Sequence, residues 1–262
     1  EGKATVFTLP PNFSDRKEIA QLEIAIGKSI GDKRREGDNK TPEGIYFPTR
    51  QIPGDKLYPR EKYGPYGAVV LDYPNPPDML QRKTGYGIWL HGVGDESRME
   101  KRLVTEGCIA FKNEKFKSLK PWLVPYGSIV SVLDNELTDA QLAKTEVVLK
   151  KTVRKWLSSW RTRSLNKYID FYSSKFKRGK INSFRRYKKR VFASYNTIKI
   201  KVSDLRVVVH PKYVVTFMNQ DFFGDNTYES LGSKILYWEN HNGRWKITNE
   251  VFSGKKFKPQ SL

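Results

Sequence analysis

Residues 86–92 read Tyr-Gly-Ile-Trp-Leu-His-Gly, and residues 105–109 read Thr-Glu-Gly-Cys-Ile. In each stretch a short apolar run meets a glycine beside a side chain that can change state near neutral pH: His91 with Gly92, and Cys108 with Gly107. A residue so placed stands at the end of a strand, and the adjacent glycine lets a substrate carbonyl approach the backbone closely. Seventeen residues separate the two side chains, too many for one helical face, so any pairing between them is tertiary. Residues 93–104 are polar and charged, as suits a loop joining two strand ends. Spacing alone leaves two readings open. One is a nucleophile with its base; the other is a buried small hydrophobe and a structural histidine.

Around this pair the first half of the chain reads as short strands and turns. Apolar clusters at 45–47, 68–73, 88–90, 108–111 and 129–133 are separated by Pro53-Gly54, Tyr63-Gly64-Pro65 and Pro74-Asn75-Pro76-Pro77. Residues 22–30 and 116–123 are expected to be helical, the second stopped by Pro125 and Gly127. Near residue 138 the pattern changes. Thr138 and Asp139 can cap a helix in which Leu142, Leu149, Val153, Trp156, Leu157 and Trp160 recur at the helical period. Ser164 can cap a second helix, and 184–192 makes a third, very basic one. Strands are expected at 197–202, 205–210, 213–218, 234–240 and 244–252, with Asn242-Gly243 as the turn of a hairpin. The fold class is therefore mixed α+β: a mostly β unit over 1–138, then an α+β unit with a curved antiparallel sheet over 139–262.

Charge divides at the same place. Residues 1–140 carry 21 Lys and Arg against 20 Asp and Glu, whereas 141–262 carry 27 against 8. Such a second unit attracts polyanions. With one cysteine, no internal disulfide and no multi-cysteine zinc site is expected, and with only His91, His210 and His241 beside it no metal or other cofactor is called for. His210 and His241 read as structural or solvated. No apolar run is long enough for a transmembrane helix. Glu1 opens no export signal, so such a signal is either lacking or removed.

The two motifs resemble the signature of the L,D-transpeptidase (YkuD) catalytic domain, in which a His-Gly pair precedes a Ser/Thr-x-Gly-Cys. Two upstream blocks agree: residues 36–46, with Thr41-Pro42-Glu43-Gly44, and the run from Tyr63-Gly64 through Leu71-Asp72-Tyr73-Pro74-Asn75. The second half, closing on Gly243-Arg-Trp245-Lys-Ile247, looks like an NTF2-like domain. Together the halves are similar to the L,D-carboxypeptidases that set helical shape in spiral bacteria and trim peptidoglycan tetrapeptide stems to tripeptides.

That resemblance implies a site. Cys108 is the expected nucleophile, His91 its base, the Gly92 carbonyl the group that orients His91, and the Gly107 and Cys108 N–H groups the oxyanion donors. Many family members carry arginine two residues after the cysteine; here Ala110 stands there. Arg98, Lys101 and Arg102 are then candidates for holding a substrate carboxylate, and Trp89 and Thr105 for contacting substrate, although core is the simpler place for a strand aromatic such as Trp89 or Tyr86. The implied substrate is a stem ending in meso-diaminopimelate–D-alanine, the implied location the periplasm with the export signal removed, and the second unit's ligand or protein partner is left open. The rivals are a transpeptidase using the same site, an inactive murein-binding scaffold, and a nucleic-acid binder with Tyr168, Tyr172, Phe176, Tyr187 and Tyr195 as stacking surface. No nucleic-acid motif supports the last, and nucleic acid is not the expected partner.

Overall fold

In a computed structural model the described residues are 2–225 and 227–257, and they form two compact units. The first holds residues 2–9 and 16–136; the second holds 10–15 and 137–257.

Among the described residues the first unit carries nine strands: β1 (Lys3–Phe7), β2 (Glu18–Gly27), β3 (Gly44–Tyr46), β4 (Pro48–Ile52), β5 (Ala68–Leu71), β6 (Trp89–His91), β7 (Leu103–Thr105), β8 (Ile109–Phe111) and β9 (Val130–Val132). Short helices accompany them: α1 (Arg60–Tyr63), α2 (Pro76–Leu80) and α3 (Asn113–Leu119). The main sheet runs β1-β2-β8-β6-β5-β4, with β7 alongside β2, and β3 pairs with β9 separately. Its neighbours are antiparallel except β6–β8 and β2–β7. The parallel β6–β8 step sets the site: β6 ends on His91 and β8 begins just after Cys108, so both side chains emerge from one region of the sheet.

Of residues 22–30, expected as a helix, 22–27 lie in strand β2 instead and 28–30 follow its end. Leu22, Ile24 and Ile26 alternate with Glu23 and Ala25, a period of two that the helical reading missed. Partners on both sides, β1 and then β8 and β7, settle the β-branched run as a strand. The helix expected at 116–123 begins earlier, at Asn113, and ends in a 3-10 turn through Trp122. Leu71, Tyr73, Leu90, Ile109, Phe111 and Phe116 are among the side chains that close the core of this unit.

The second unit begins with α4 (Asp139–Arg161), followed by α5 (Leu165–Asp170), α6 (Phe176–Gly179) and α7 (Ile181–Ala193). Thr138 caps α4 in a reciprocal box: its hydroxyl accepts from Gln141 N, and Gln141 Oε1 accepts from Thr138 N. Ser164 does not cap α5 through its side chain; its hydroxyl meets Thr162 Oγ1 at 3.0 Å. An antiparallel meander follows: β10 (Ile198–Val209), β11 (Val214–Gly224), β12 (Tyr228–His241) and β13 (Arg244–Ser253). The two strands expected at 197–202 and 205–210 are one strand, β10. Its register breaks between Ser203 and Arg206, where Asp204 takes a positive φ of 55°. Asn242 and Gly243, both at positive φ, turn β12 into β13 as a primed hairpin requires. Leu149, Val153, Trp156 and Trp160 on one stripe of α4 pack against Val214, Leu236 and Trp238 of the sheet. Pro10–Asp15 joins this unit through Glu146, which accepts from Phe13 N, and Lys150, which donates to the Pro11 carbonyl.

Of the aromatics considered for stacking on nucleic acid, Tyr168, Tyr172 and Phe176 are buried in the core of this unit, and Tyr195 packs against it. Tyr187 alone of the five is largely exposed. His210 is buried and accepts from Lys212 N through Nδ1, while His241 sits at the hairpin beside Glu239.

Candidate active site

His91 pairs with Ala110 across the parallel β6–β8 ladder, and Leu90 pairs with Ile109. Side chains two apart share a face. Cys108, two before Ala110, therefore projects on the His91 side of the sheet. Both line one cleft of about 380 Å³, with Ala110 in its wall.

The imidazole is fixed from behind. His91 Nδ1 meets the Gly92 carbonyl, and because a carbonyl only accepts, Nδ1 carries the proton and Nε2 is the basic nitrogen. The Gly92 backbone is itself anchored by the next residue. Asn113 accepts from Val93 N at 3.0 Å and donates to Val93 O at 2.8 Å. Gly64 and Gly92 make room for this clamp: a Cβ on either would come within 2.5 or 2.2 Å of Asn113 Oδ1. Tyr63 packs edge-on against His91 at 5.1 Å and also against Trp89 at 5.3 Å.

The loop carrying Cys108 is held as firmly. Thr105 Oγ1 donates to the Cys108 carbonyl at 2.7 Å and accepts from Gly107 N at 3.1 Å. Gly107 has φ +127°, and a Cβ there would lie 2.6 Å from the Lys40 carbonyl. The Cys108 thiol donates to Gly87 O at 3.4 Å, and the Trp89 N–H is directed at its sulfur.

Burial dominates the electrostatics. It pushes the Cys108 thiol up, against the Trp89 N–H and the Lys62 ammonium, which favour the thiolate. It pushes the His91 imidazole down to about 4, helped by Lys62 and Arg98 and opposed by the Gly92 carbonyl. At neutral pH the pair therefore rests as thiol and neutral imidazole, with no standing ion pair. Such a pair can pass a proton from sulfur to nitrogen once a substrate carbonyl is in place.

Of the site residues expected from sequence, Cys108, His91, Arg98 and Thr105 line the cleft together. Lys101 and Arg102 do not; both are exposed beyond it. Trp89 belongs to neither core nor cleft: it is half-buried behind His91, against Tyr63. Tyr86, given to the core by its strand pattern, is 79% exposed and lines the cleft. The Gly107 N–H, expected as an oxyanion donor, is directed at Thr105 Oγ1 at 3.1 Å. Sequence reasoning missed Lys33, Lys62, Tyr63 and Asn113. Tyr63-Gly64 was visible as a turn, but nothing in the order of residues says that it folds against His91. Among the described residues no group of three or more His, Cys, Asp or Glu is placed to hold a metal ion, and no helix is long and apolar enough to cross a membrane.

The sheet brings Cys108 and His91 to one cleft, and the comparisons give the family to which this arrangement belongs. The L,D-transpeptidase catalytic domain (YkuD) family model matches residues 3–149, and that of the Cds6 C-terminal NTF2-like domain matches 148–251. The chain belongs to the YkuD family, with an NTF2-like domain following the catalytic one, and is a peptidoglycan-modifying enzyme of the L,D-transpeptidase/carboxypeptidase type. Among solved structures, Bd1075 of Bdellovibrio bacteriovorus is 28% identical with a TM-score of 0.80, the match covering 99% of this chain and 90% of that one. Pgp2 of Campylobacter jejuni, described as a helical cell shape determining protein, is 28% identical with a TM-score of 0.69, covering 94% and 92%. No curated protein matches the chain.

Proposed function

We propose that the protein is a periplasmic L,D-carboxypeptidase that removes the terminal D-alanine from peptidoglycan tetrapeptide stems and thereby shapes the cell wall. The observation that carries this reading is the placement of Cys108 and His91 on one sheet face of one cleft, with Nε2 left as the basic nitrogen. His91 takes the thiol proton as Cys108 attacks the carbonyl between meso-diaminopimelate and D-alanine. The Cys108 N–H is the backbone donor at hand for the oxyanion, a contribution of about 3 kcal/mol in comparable sites. His91 returns the proton to the leaving amine, D-alanine departs, and a thioester remains on Cys108. Water then enters with His91 as base, the acid is released, and the thiol is restored. The two-domain likeness to Pgp2, described as a helical cell shape determining protein, supports a role in shape. The strongly basic second unit suits retention on an anionic wall polymer.

Incubation of the protein and its Cys108→Ala variant with disaccharide-tetrapeptide, read by mass, tests this. Loss of one alanine with the wild type and none with the variant is expected. A product of nearly doubled mass moves the assignment to transpeptidase, and no change with either protein sinks the activity on this substrate.

A further inference from the structure

Lys33, Lys62 and Arg98 line the cleft, and the proposed reaction gives none of these three cations a role. They are not equally free to take one. Lys33 is paired with Asp38 at 2.8 Å, its side chain only 4% exposed. Arg98 turns its guanidinium to the Val104 carbonyl at 3.4 Å. Lys62 meets Glu106 at 3.0 Å, and Glu106 is 61% exposed, so this pair is solvated and easily exchanged. Both partners line the cleft, and Glu106 precedes the nucleophile by two residues. The substrate brings a carboxylate to the same place. Its terminal carboxylate carbon is joined through a single Cα to the nitrogen that Cys108 displaces, roughly 2.5 Å away. A group that reads this charge must line the same cleft as Cys108.

We propose that Lys62 determines specificity for a free terminal carboxylate: its ammonium exchanges Glu106 for the carboxylate of the leaving residue. The inference rests on the carboxypeptidase reading and deepens it. Glu106 is the resting counter-ion and competes with substrate; once displaced, it turns to solvent. A stem whose last carboxylate is an amide offers no charge for the exchange and is refused, so the enzyme acts from the free end of stems. The same ammonium favours the Cys108 thiolate, so loss of Lys62 slows chemistry on any substrate, and only the ratio between two substrates isolates carboxylate recognition.

The test compares disaccharide-tetrapeptide with its C-terminal carboxamide, in turnover by the wild type, Lys62→Ala, Lys62→Arg and Glu106→Gln, and in binding to Cys108→Ala with and without Lys62→Ala. The wild type should prefer the acid by roughly 10- to 100-fold in kcat/KM, the worth of a charge-assisted hydrogen bond. Lys62→Ala should bring the ratio to about unity, Lys62→Arg should keep most of it, and Glu106→Gln should lower KM for the acid. A ratio that survives in Lys62→Ala, or wild-type turnover of acid and amide at equal rates, overturns the assignment while the hydrolase reading stands. If the wild type turns over neither but Cys108→Ala binds the acid better, and only with Lys62 present, the carboxylate site stands and the hydrolase reading falls. Absence of both turnover and preferential binding overturns both.

Discussion

Among the described residues each unit of this protein buries two lysines, and one from each, Lys83 and Lys188, are held in opposite ways. Lys83, in the catalytic unit, lies 2.8 Å from both Asp32 and Asp78, its side chain 1% exposed. Asp78 also accepts from Tyr46 and from Asn75 N, inside the capping box of α2. Lys188, on α7 of the second unit, has aromatic rings for neighbours instead. Its ammonium sits 4.2 Å from the centre of Trp160, 5.2 Å from Tyr168 and 5.5 Å from Phe184. Burial pushes it down to about 8, although Glu250 pulls the other way. The difference teaches what removing each charge leaves behind. A charge balanced by carboxylates leaves opposite charges behind when removed, whereas a charge resting on ring faces leaves an apolar hole.

The largest effect expected from this contrast is Lys83→Met. It strips Asp32 and Asp78 of their shared cation and should cost the catalytic unit about 3–5 kcal/mol. Urea titration followed by the exposure of the Cys108 thiol reads that unit separately, and a midpoint unchanged from wild type would refute the account. Next comes Asn113→Ala, which unclamps Val93 beside the Gly92 carbonyl. Turnover should fall about 10- to 100-fold, mainly in kcat, because His91 loses its fixed orientation. A change confined to KM would count against a positioning role.

A smaller loss follows lowering the pH. His91 sits at about 4 when folded and at about 6.5 when free, so the folded state resists its protonation. Stability from this group is full above the unfolded value and is lost as pH falls through 6.5 toward 4. Activity should hold to near pH 4 and drop about tenfold per unit below it, as the base form disappears. An acid limb near 6.5 would contradict the burial of His91. The smallest effect belongs to Lys188→Met, which should change the stability of the second unit by no more than about 1 kcal/mol. With a folded value near 8 against about 10.4 unfolded, the wild type should gain on this variant as pH rises between those values. Trp fluorescence in urea at pH 7.5 and 9.5 measures that gain, and a loss would reverse the sign of the argument.

The same contrast explains what could be read in advance. Local signals were legible: the cap at Thr138, the turn at Asn242-Gly243, the His91-Gly92 and Gly107-Cys108 junctions. Each is decided by a handful of adjacent residues, and each has its physical cause within them. Residues 22–30 failed because the choice between periods was made by strands far along the chain, at 3–7, 103–105 and 109–111. Lys62, Tyr63 and Asn113 were invisible as site residues for a related reason. Their relation to His91 is created when α1 and the start of α3 fold over the end of β6. The Gly107 N–H is a different case: its partner, Thr105 Oγ1, lies two residues away in plain view, but a hydroxyl's direction is not written in a sequence.

The seat of Gly107 has a practical consequence for anyone wishing to retarget the enzyme. With a carbonyl from residue 40 where a methyl group would go, that position admits no library of substitutions, and the peptide on either side moves only if the facing loop moves too. Tyr86, by contrast, borders the same cleft with its side chain largely in water. Variation for new substrates is best spent at 86, where change is cheap, and withheld from 107, where one carbon atom would displace the loop that carries Cys108.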